Sequence, residues 1–485
     1  MADGEWTSCR TASPIFLNVP VREFRVPFTD VVKTRAFTGE VLRLELRNTY
    51  GPADAEIYEV GLYIDGQTST ERAEALLWIT PLPETDPATV GLPAVVPSNA
   101  GSDGLTLLGN PFSMRFYNNS GWENARSVWD MQRWGDRIYL AHGDGHANAG
   151  PTDVWYFDLA SSTFVKDTTV DEEQISSFVE AGETLYIPGL DPREHGDSPE
   201  WEWGNLYSYS DSEWEKQRTI PWGLHLYDVL SHDGLLFASG DGSEAYVTEG
   251  EMKLAFCHVS ADGGETWELH YPSSVNKLEE LFVLNDTVYA SGAYNSLFLR
   301  WDGASFVESS VAPFPDLPPF SEEMIERSNA PMLPLEWRGD PSVMLRASHV
   351  TDWLNGILYL CNAPYTRQAA ETNGTRHVPG SLGIYYATAI EEGRIKRLEF
   401  VPNDMMPRDI VVQDGVAYVL VVGTELDSRR ASVYATSELG HWKSVVSEVS
   451  LPASAYSMEV AEGKLFLGLG GPSVHSGEIH MVEIP

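Results

Sequence analysis

Residues 226–240 read LYDVLSHDGLLFASG: a strand, an Asp-Gly pair, and a second apolar strand ending in small residues. Asp-Gly between two such runs signals a hairpin, because both residues accept the left-handed backbone of a two-residue turn. The same unit occurs seven times. The others are SVWDMQRWGDRIYLAHG (127–143), ISSFVEAGETLYIPG (175–189), LEELFVLNDTVYASG (278–292), HVTDWLNGILYLCNA (349–363), RDIVVQDGVAYVLVVG (408–423) and YSMEVAEGKLFLGLGG (456–471). Their turn pairs begin at 135, 182, 233, 285, 355, 414 and 462, a spacing of 47 to 70 residues. A third strand and a hairpin into an aromatic-bearing fourth follow, as in VWYFDLASSTF (154–164) and LFLRWDGASF (297–306). Four strands at a blade-sized period predict an all-β chain whose main body, 105–485, is a seven-bladed β-propeller. The last unit, ending GEIHMVEIP, supplies only three strands. Its fourth is expected upstream, within 105–117, since closing the ring removes exposed sheet edges.

The preceding residues have a different rhythm. Runs such as EFRVPF (23–28), VVKTRAF (31–37), EVLRLELRNTYG (40–51), AEIYEVGLYIDG (55–66) and ALLWIT (75–80) predict a small N-terminal β-sandwich over 1–85. Residues 86–104 form a Pro/Gly-rich linker.

Two stretches resemble known families. Ser260-Ala-Asp262-Gly-Gly264-Glu-Thr266-Trp267 resembles the Asp box, S-x-D-x-G-x-T-W, of sialidase-like (BNR) propellers. The resemblance implies that Ser and Asp tie the turn to its own backbone while Trp packs between strands, a structural role with little to say about activity. No FRIP-like segment marks the arginine triad of sialidases, which argues against that activity. The segment 32–63 resembles the jelly-roll module appended to some SGNH-type hydrolases and carbohydrate-active enzymes, which implies docking or glycan binding.

Acidic residues number 71 against 32 Lys and Arg, a formal charge of −39. Nucleic acid is excluded as a partner, because neutralising phosphates needs basic patches. Such a Lys-poor, acidic surface fits either a salty setting or ordinary solubility. No run approaches the length of a membrane span, so no membrane insertion is expected. The opening MADGEWTSCRTASPIF lacks the basic start and apolar run of a secretion signal, and assembly into a virion is one other route outward. Cys9, Cys257 and Cys361 are too few for a disulfide framework and read as free thiols, the last two in strands.

Propellers bind ligands where the inner strands begin, at one mouth of the channel. Counting back from each turn lays the strands in register. Five residues before the turns stand Asp130, Ser177, Asp228, Glu280, Val350, Asp409 and Ser457. The carboxylates Asp130, Asp228, Glu280 and Asp409 either cap backbone amides of a neighbouring blade or hold a cation, with Ca2+ the expected cofactor if one is bound. Six residues before the turns stand Trp129, Ser176, Tyr227, Glu279, His349, Arg408 and Tyr456. Either these are ordinary rim residues or they form a site: aromatics stack on sugars, Arg pairs with carboxylate or sulfate, and His or Tyr move protons. Nearby loops bring His142, His146, Trp201, Trp203, Arg218, Trp222 and His225 as further ligand-binding candidates, and His142 and His146 around Asp144 are either metal ligands or packing residues.

Two functions follow. One is a carbohydrate-recognising, extracellular or virion-surface protein of the tail or spike kind. Its N-terminal domain would dock other virion or surface proteins, and a homo-oligomer is compatible with that role. The other is a polysaccharide lyase on a uronate-containing, ulvan-like acidic polysaccharide. Tyr227, His349 and Tyr456 resemble in kind the acid–base residues of seven-bladed lyases, and Arg408 their uronate-neutralising arginine.

Overall fold

The computed structural model describes residues 23–27, 58–64, 74–81, 104–113, 125–143, 150–192, 202–210, 212–244, 254–270, 277–293, 297–319, 342, 345–368, 375–402, 404–423 and 429–484. The chain divides into two units, Met1–Thr89 and Val90–Pro485. In the first, Glu23–Pro27, Tyr58–Ile64 and Glu74–Pro81 form an antiparallel sheet with the last strand in the middle. The strands expected over 31–37 and 40–51 lie outside the described residues, as does 86–103.

The second unit is an all-β, seven-bladed propeller. Its blades, numbered 1 to 7 in chain order, have the inner strands Asp130–Trp134, Val179–Ala181, His225–His232, Lys277–Leu284, Arg346–Trp353, Met405–Gln413 and Ser454–Ala461. Each blade has four antiparallel strands, and the sheet of blade 3 gains two short ones, Leu190–Pro192 and Glu172–Gln174. Blade 7 takes its outermost strand from Thr106–Gly109, which pairs with Ile479–Glu483 at the other end of the unit. Among the described residues no helix is long and apolar enough to cross a membrane.

The strands bury their alternate side chains between blades. One apolar cluster lies at each of the seven blade junctions, the last uniting Phe466 and Ile479 of blade 7 with Met131, Ile138 and Phe157 of blade 1. A closed ring of such contacts leaves no blade with an open face, which is why short strands suffice. Cys257 and Cys361 are buried free thiols within this packing.

Six inner hairpins turn at the expected pairs, but blade 5 does not. Trp353 pairs with Gly356, so the turn is Leu354-Asn355, one residue earlier than the Asn-Gly pair the sequence suggests. Leu354 adopts φ 47° and Asn355 φ 59°. Gly356 serves packing instead: a Cβ there would collide with the carbonyl oxygen of Ala387. Asn-Gly is a strong turn signal because both residues tolerate positive φ, yet here the glycine is needed for a close backbone approach.

In the hairpin at 260–267, Ser260 Oγ accepts the Gly264 amide at 2.8 Å and Asp262 accepts the Thr266 amide at 2.9 Å. Bonds from the Thr266 hydroxyl and amide hold the Asp262 carboxyl down to about 2. Trp267 Nε1 reaches back to Thr219 Oγ1 of blade 2 at 3.0 Å. The hairpin is thus a local device that pins blade 3 to blade 2.

Candidate functional site

The inner strands surround a cavity of about 1470 Å³ that runs along the channel. One level of it is an interblade staple. Asp228 accepts its own following amide, Val229 N, at 2.7 Å and Leu281 N of the next blade at 2.6 Å. Asp409 repeats this with Ile410 N at 2.7 Å and Met458 N at 2.6 Å, and Asp130 accepts Phe178 N at 3.1 Å. Glu280 accepts His349 N of blade 5 at 3.3 Å. Nearer its turn, Glu459 makes the same kind of link between blades 7 and 1, accepting Val460 N and, at 2.7 Å, Arg133 N. Charged acceptors make strong bonds to amides that would otherwise be buried without partners.

Burial raises four of these carboxyls. Asp130 is pushed up to about 6 by burial and by Asp409. Burial lifts Glu459 to about 7 and raises Glu280 as well, and burial with repulsion from Glu280 lifts Asp228.

One residue upstream the strands change character. In blades 3, 4, 6 and 7 the ladder slips by one residue, so that Tyr227, Glu279, Arg408 and Tyr456 are bulged out of register. A bulge re-aims the side chain it carries, and all four line the cavity at the end where the inner strands begin. Blade 5 slips between Ser348 and Thr351. Counted from its true turn, His349 is fifth rather than sixth, and Ser348 takes the sixth place. His349 adopts φ 51° and places Nδ1 3.0 Å from Asp409 Oδ1, among the carboxylates rather than on the rim. Its side chain is 29% exposed. Burial alone would lower the imidazole, but Asp409 and Glu280 raise it.

Two positions further upstream, blades 3, 4 and 5 carry His225, Lys277 and Arg346, all in the cavity wall. Lys277 Nζ donates to Tyr227 Oη at 2.9 Å and lies 3.4 Å from Asp241 Oδ2 of blade 3. Tyr227 in turn donates to Asp241 Oδ2 at 3.0 Å. His225 stands between two carboxylates, Nδ1 to Asp241 at 2.6 Å and Nε2 to Asp191 at 2.7 Å. Burial works against its proton, but the bonds to Asp191 and Asp241 hold it above the ordinary value. Arg346 Nη1 meets Glu279 of blade 4 at 2.6 Å. Across the mouth, Arg408 lies 4.1 Å over the Tyr456 ring and donates Nε to the Tyr456 carbonyl. Trp129 packs 5.4 Å from Tyr456 and donates Nε1 to Gly143 O.

Of the loop candidates, His225 belongs to this mouth. His142 is fully buried, stacked 4.0 Å from Phe112, with Nε2 at the Asp153 carbonyl. Trp203 is 41% exposed, and together with Arg218 it belongs to the outer strands of blade 2. Trp222 lies just beyond those strands, half-buried at φ 56°. None of these four lines the cavity. His146 and Trp201 lie outside the described residues.

Reading the sequence missed Asp191, Asp241, Lys277, Arg346 and Glu459. The position eight before the turn would have found Lys277 and Arg346 beside His225, had the blade 5 turn been placed at 354.

No family model matches the chain, and no curated protein does. The solved structures similar to it include a mitotic checkpoint complex (8% identity, TM-score 0.42, covering 74% of this chain and 89% of that one). YCF48 bound to D1 peptide (10%, 0.40, 74% and 93%) is another. A third is Penicillium chrysogenum alpha-L-arabinanase complexed with arabinobiose (12%, 0.37, 78% and 97%). At such scores the likenesses carry no functional argument. The class rests on the seven closed blades and the polar channel mouth.

Proposed function

We propose that the protein is a carbohydrate-recognising propeller that takes a glycan at the mouth where its inner strands begin. The observation that carries this reading is the repeated bulge, which re-aims Tyr227, Glu279, Arg408 and Tyr456 into the cavity wall at one end of the channel. Blade packing needs no such device, and four registers slipping at the same position put mixed aromatic, cationic and anionic groups around one opening. Hydroxyl-rich ligands use that mixture, because each hydroxyl both donates and accepts. The half-buried Trp129 supplies an apolar surface beside it. In this reading the protein works at a cell or virion surface, held there through its N-terminal unit.

A glycan array probed with the intact protein tests the proposal. Binding that falls at least about tenfold in Lys277→Met supports it. Silence across neutral and acidic glycans, or binding indifferent to that substitution, overturns it.

A lyase reading draws on one observation, the His349 Nδ1 to Asp409 pair, since a carboxylate that orients an imidazole is a common arrangement for proton transfer. It stands second because Arg408, its uronate partner, is buried against Tyr456. Formation of unsaturated product from a uronate polysaccharide, abolished in His349→Ala, would reverse the order.

A further inference from the structure

Resting on that reading of the mouth, we infer that the glycan recognised is a neutral one, and that internal ion pairs at the mouth select against uronates and sulfated sugars. The inference comes from how the cations at the mouth, Arg346, Lys277, His225 and Arg408, are used. Arg346 is held by Glu279 at 2.6 Å and 2.5 Å, from one guanidinium nitrogen to the two carboxylate oxygens. Lys277 is shared between the Tyr227 hydroxyl and Asp241, whose side chain is 1% exposed. His225 is clasped between Asp191 and Asp241. Arg408 is packed on Tyr456, and burial lowers its basicity. An anionic sugar would have to displace a carboxylate already in place to reach Arg346, Lys277 or His225, and the Tyr456 ring to reach Arg408.

The wider field points the same way. Nine Asp or Glu residues line the cavity against four Lys or Arg, with Asp130, Asp228, Glu280 and Glu459 among the nine raised by burial, within a chain whose formal charge is −39. Beneath the mouth, repulsion from Asp409 adds to burial in raising Asp130, so the site already resists negative charge. An acidic ligand adds to that repulsion, whereas a hydroxyl does not. The Glu279–Arg346 pair, which lines the cavity, sets an acceptor beside a donor, and a neutral hydroxyl can satisfy both. A carboxylate or sulfate oxygen accepts only and would leave the acidic member facing like charge.

The test uses the intact protein and neutral hexasaccharides of several linkages, each paired with its counterpart oxidised to a carboxyl at C6. Titration calorimetry at moderate salt should give at least about tenfold tighter binding of the neutral member, with affinity nearly flat as salt rises. In Glu279→Gln, Arg346 loses its partner, and the preference should shrink to about threefold or less through a gain for the carboxylated member. Equal or tighter wild-type binding of the carboxylated member overturns this inference and leaves the proposal of glycan recognition standing. Failure of both members to bind, in all linkages, removes that proposal too. Should Glu279→Gln not fold, the wild-type ratio and its salt dependence decide by themselves.

Discussion

Glu279 and Glu280 are neighbours in one strand, as are Tyr227 with Asp228 and Arg408 with Asp409, yet the two members of each pair do different work. The lower members Asp228, Glu280 and Asp409 turn to backbone amides of the next blade, as Asp130 does in blade 1, and Glu459 adds a link between blades 7 and 1. Of the upper members, Glu279 and Tyr227 engage side chains of the next blade, and Arg408 stacks on one. The bulge between them makes the difference. A strand without it would send alternate residues to opposite faces, whereas the slipped register brings two consecutive polar side chains to one channel at two levels. Structural and recognition roles can therefore sit one residue apart, and substitutions at adjacent positions should separate them.

The largest effect is expected at the staple. Asp409→Ala leaves the Ile410 and Met458 amides without an acceptor in a buried setting and should cost about 3 kcal/mol of unfolding free energy. Urea denaturation measures it; a loss below about 1 kcal/mol would show that Asp409 does not hold the blades together. Lys277→Met at the mouth should by contrast cost less than Asp409→Ala, because His225 still pairs with the buried Asp241, while lowering ligand affinity.

A second contrast lies in pH. Asp130, at about 6, and Glu459, at about 7, with Glu280 also raised by burial, keep protons in the folded state that the unfolded chain releases near pH 4. The folded state then binds more protons between those values, so stability falls as pH rises from about 4.5 to about 7 and levels off above. His225 and His349, raised in the folded state, act in the same direction. His258 opposes them: burial lowers it to about 3, so it favours unfolding as pH falls below about 6.5. The net expectation is a protein about 2 kcal/mol more stable at pH 5.5 than at pH 8, read from denaturation midpoints. Glu459→Gln should flatten the slope, and a profile that rises with pH would refute the buried-carboxylate account.

The smallest effect belongs to the surface hairpin. Ser260→Ala removes the acceptor for the Gly264 amide and should cost about 1 kcal/mol. It marks what a single side-chain-to-amide bond contributes outside the staple, and a loss as large as that of Asp409→Ala would erase the distinction drawn for the channel.

The seven blades were legible because each inner hairpin joins two apolar strands, a local pattern that survives in sequence. The carboxylate level was legible as well, since Asp130, Asp228, Glu280 and Asp409 recur at one distance from the turn. Two features were not. Leu354 in a left-handed turn contradicts its residue type, so the better signal at Asn355-Gly356 displaced the register of blade 5 by one and moved His349 to the wrong level. Bulges leave no mark on periodicity, so a uniform count places residues at levels without saying which face they reach. Asp191 arrives from the short strand between blades 2 and 3 and Asp241 from the strand next to the inner one, so neither falls in a count along inner strands.

The central claim is that adjacent residues divide holding from recognising. Its most direct test is the ratio of neutral to C6-carboxyl hexasaccharide affinity in Glu279→Gln and Glu280→Gln, measured side by side with the wild type. The account predicts that the ratio collapses in Glu279→Gln, and moves less than about threefold in Glu280→Gln. Equal responses from the two variants would contradict it.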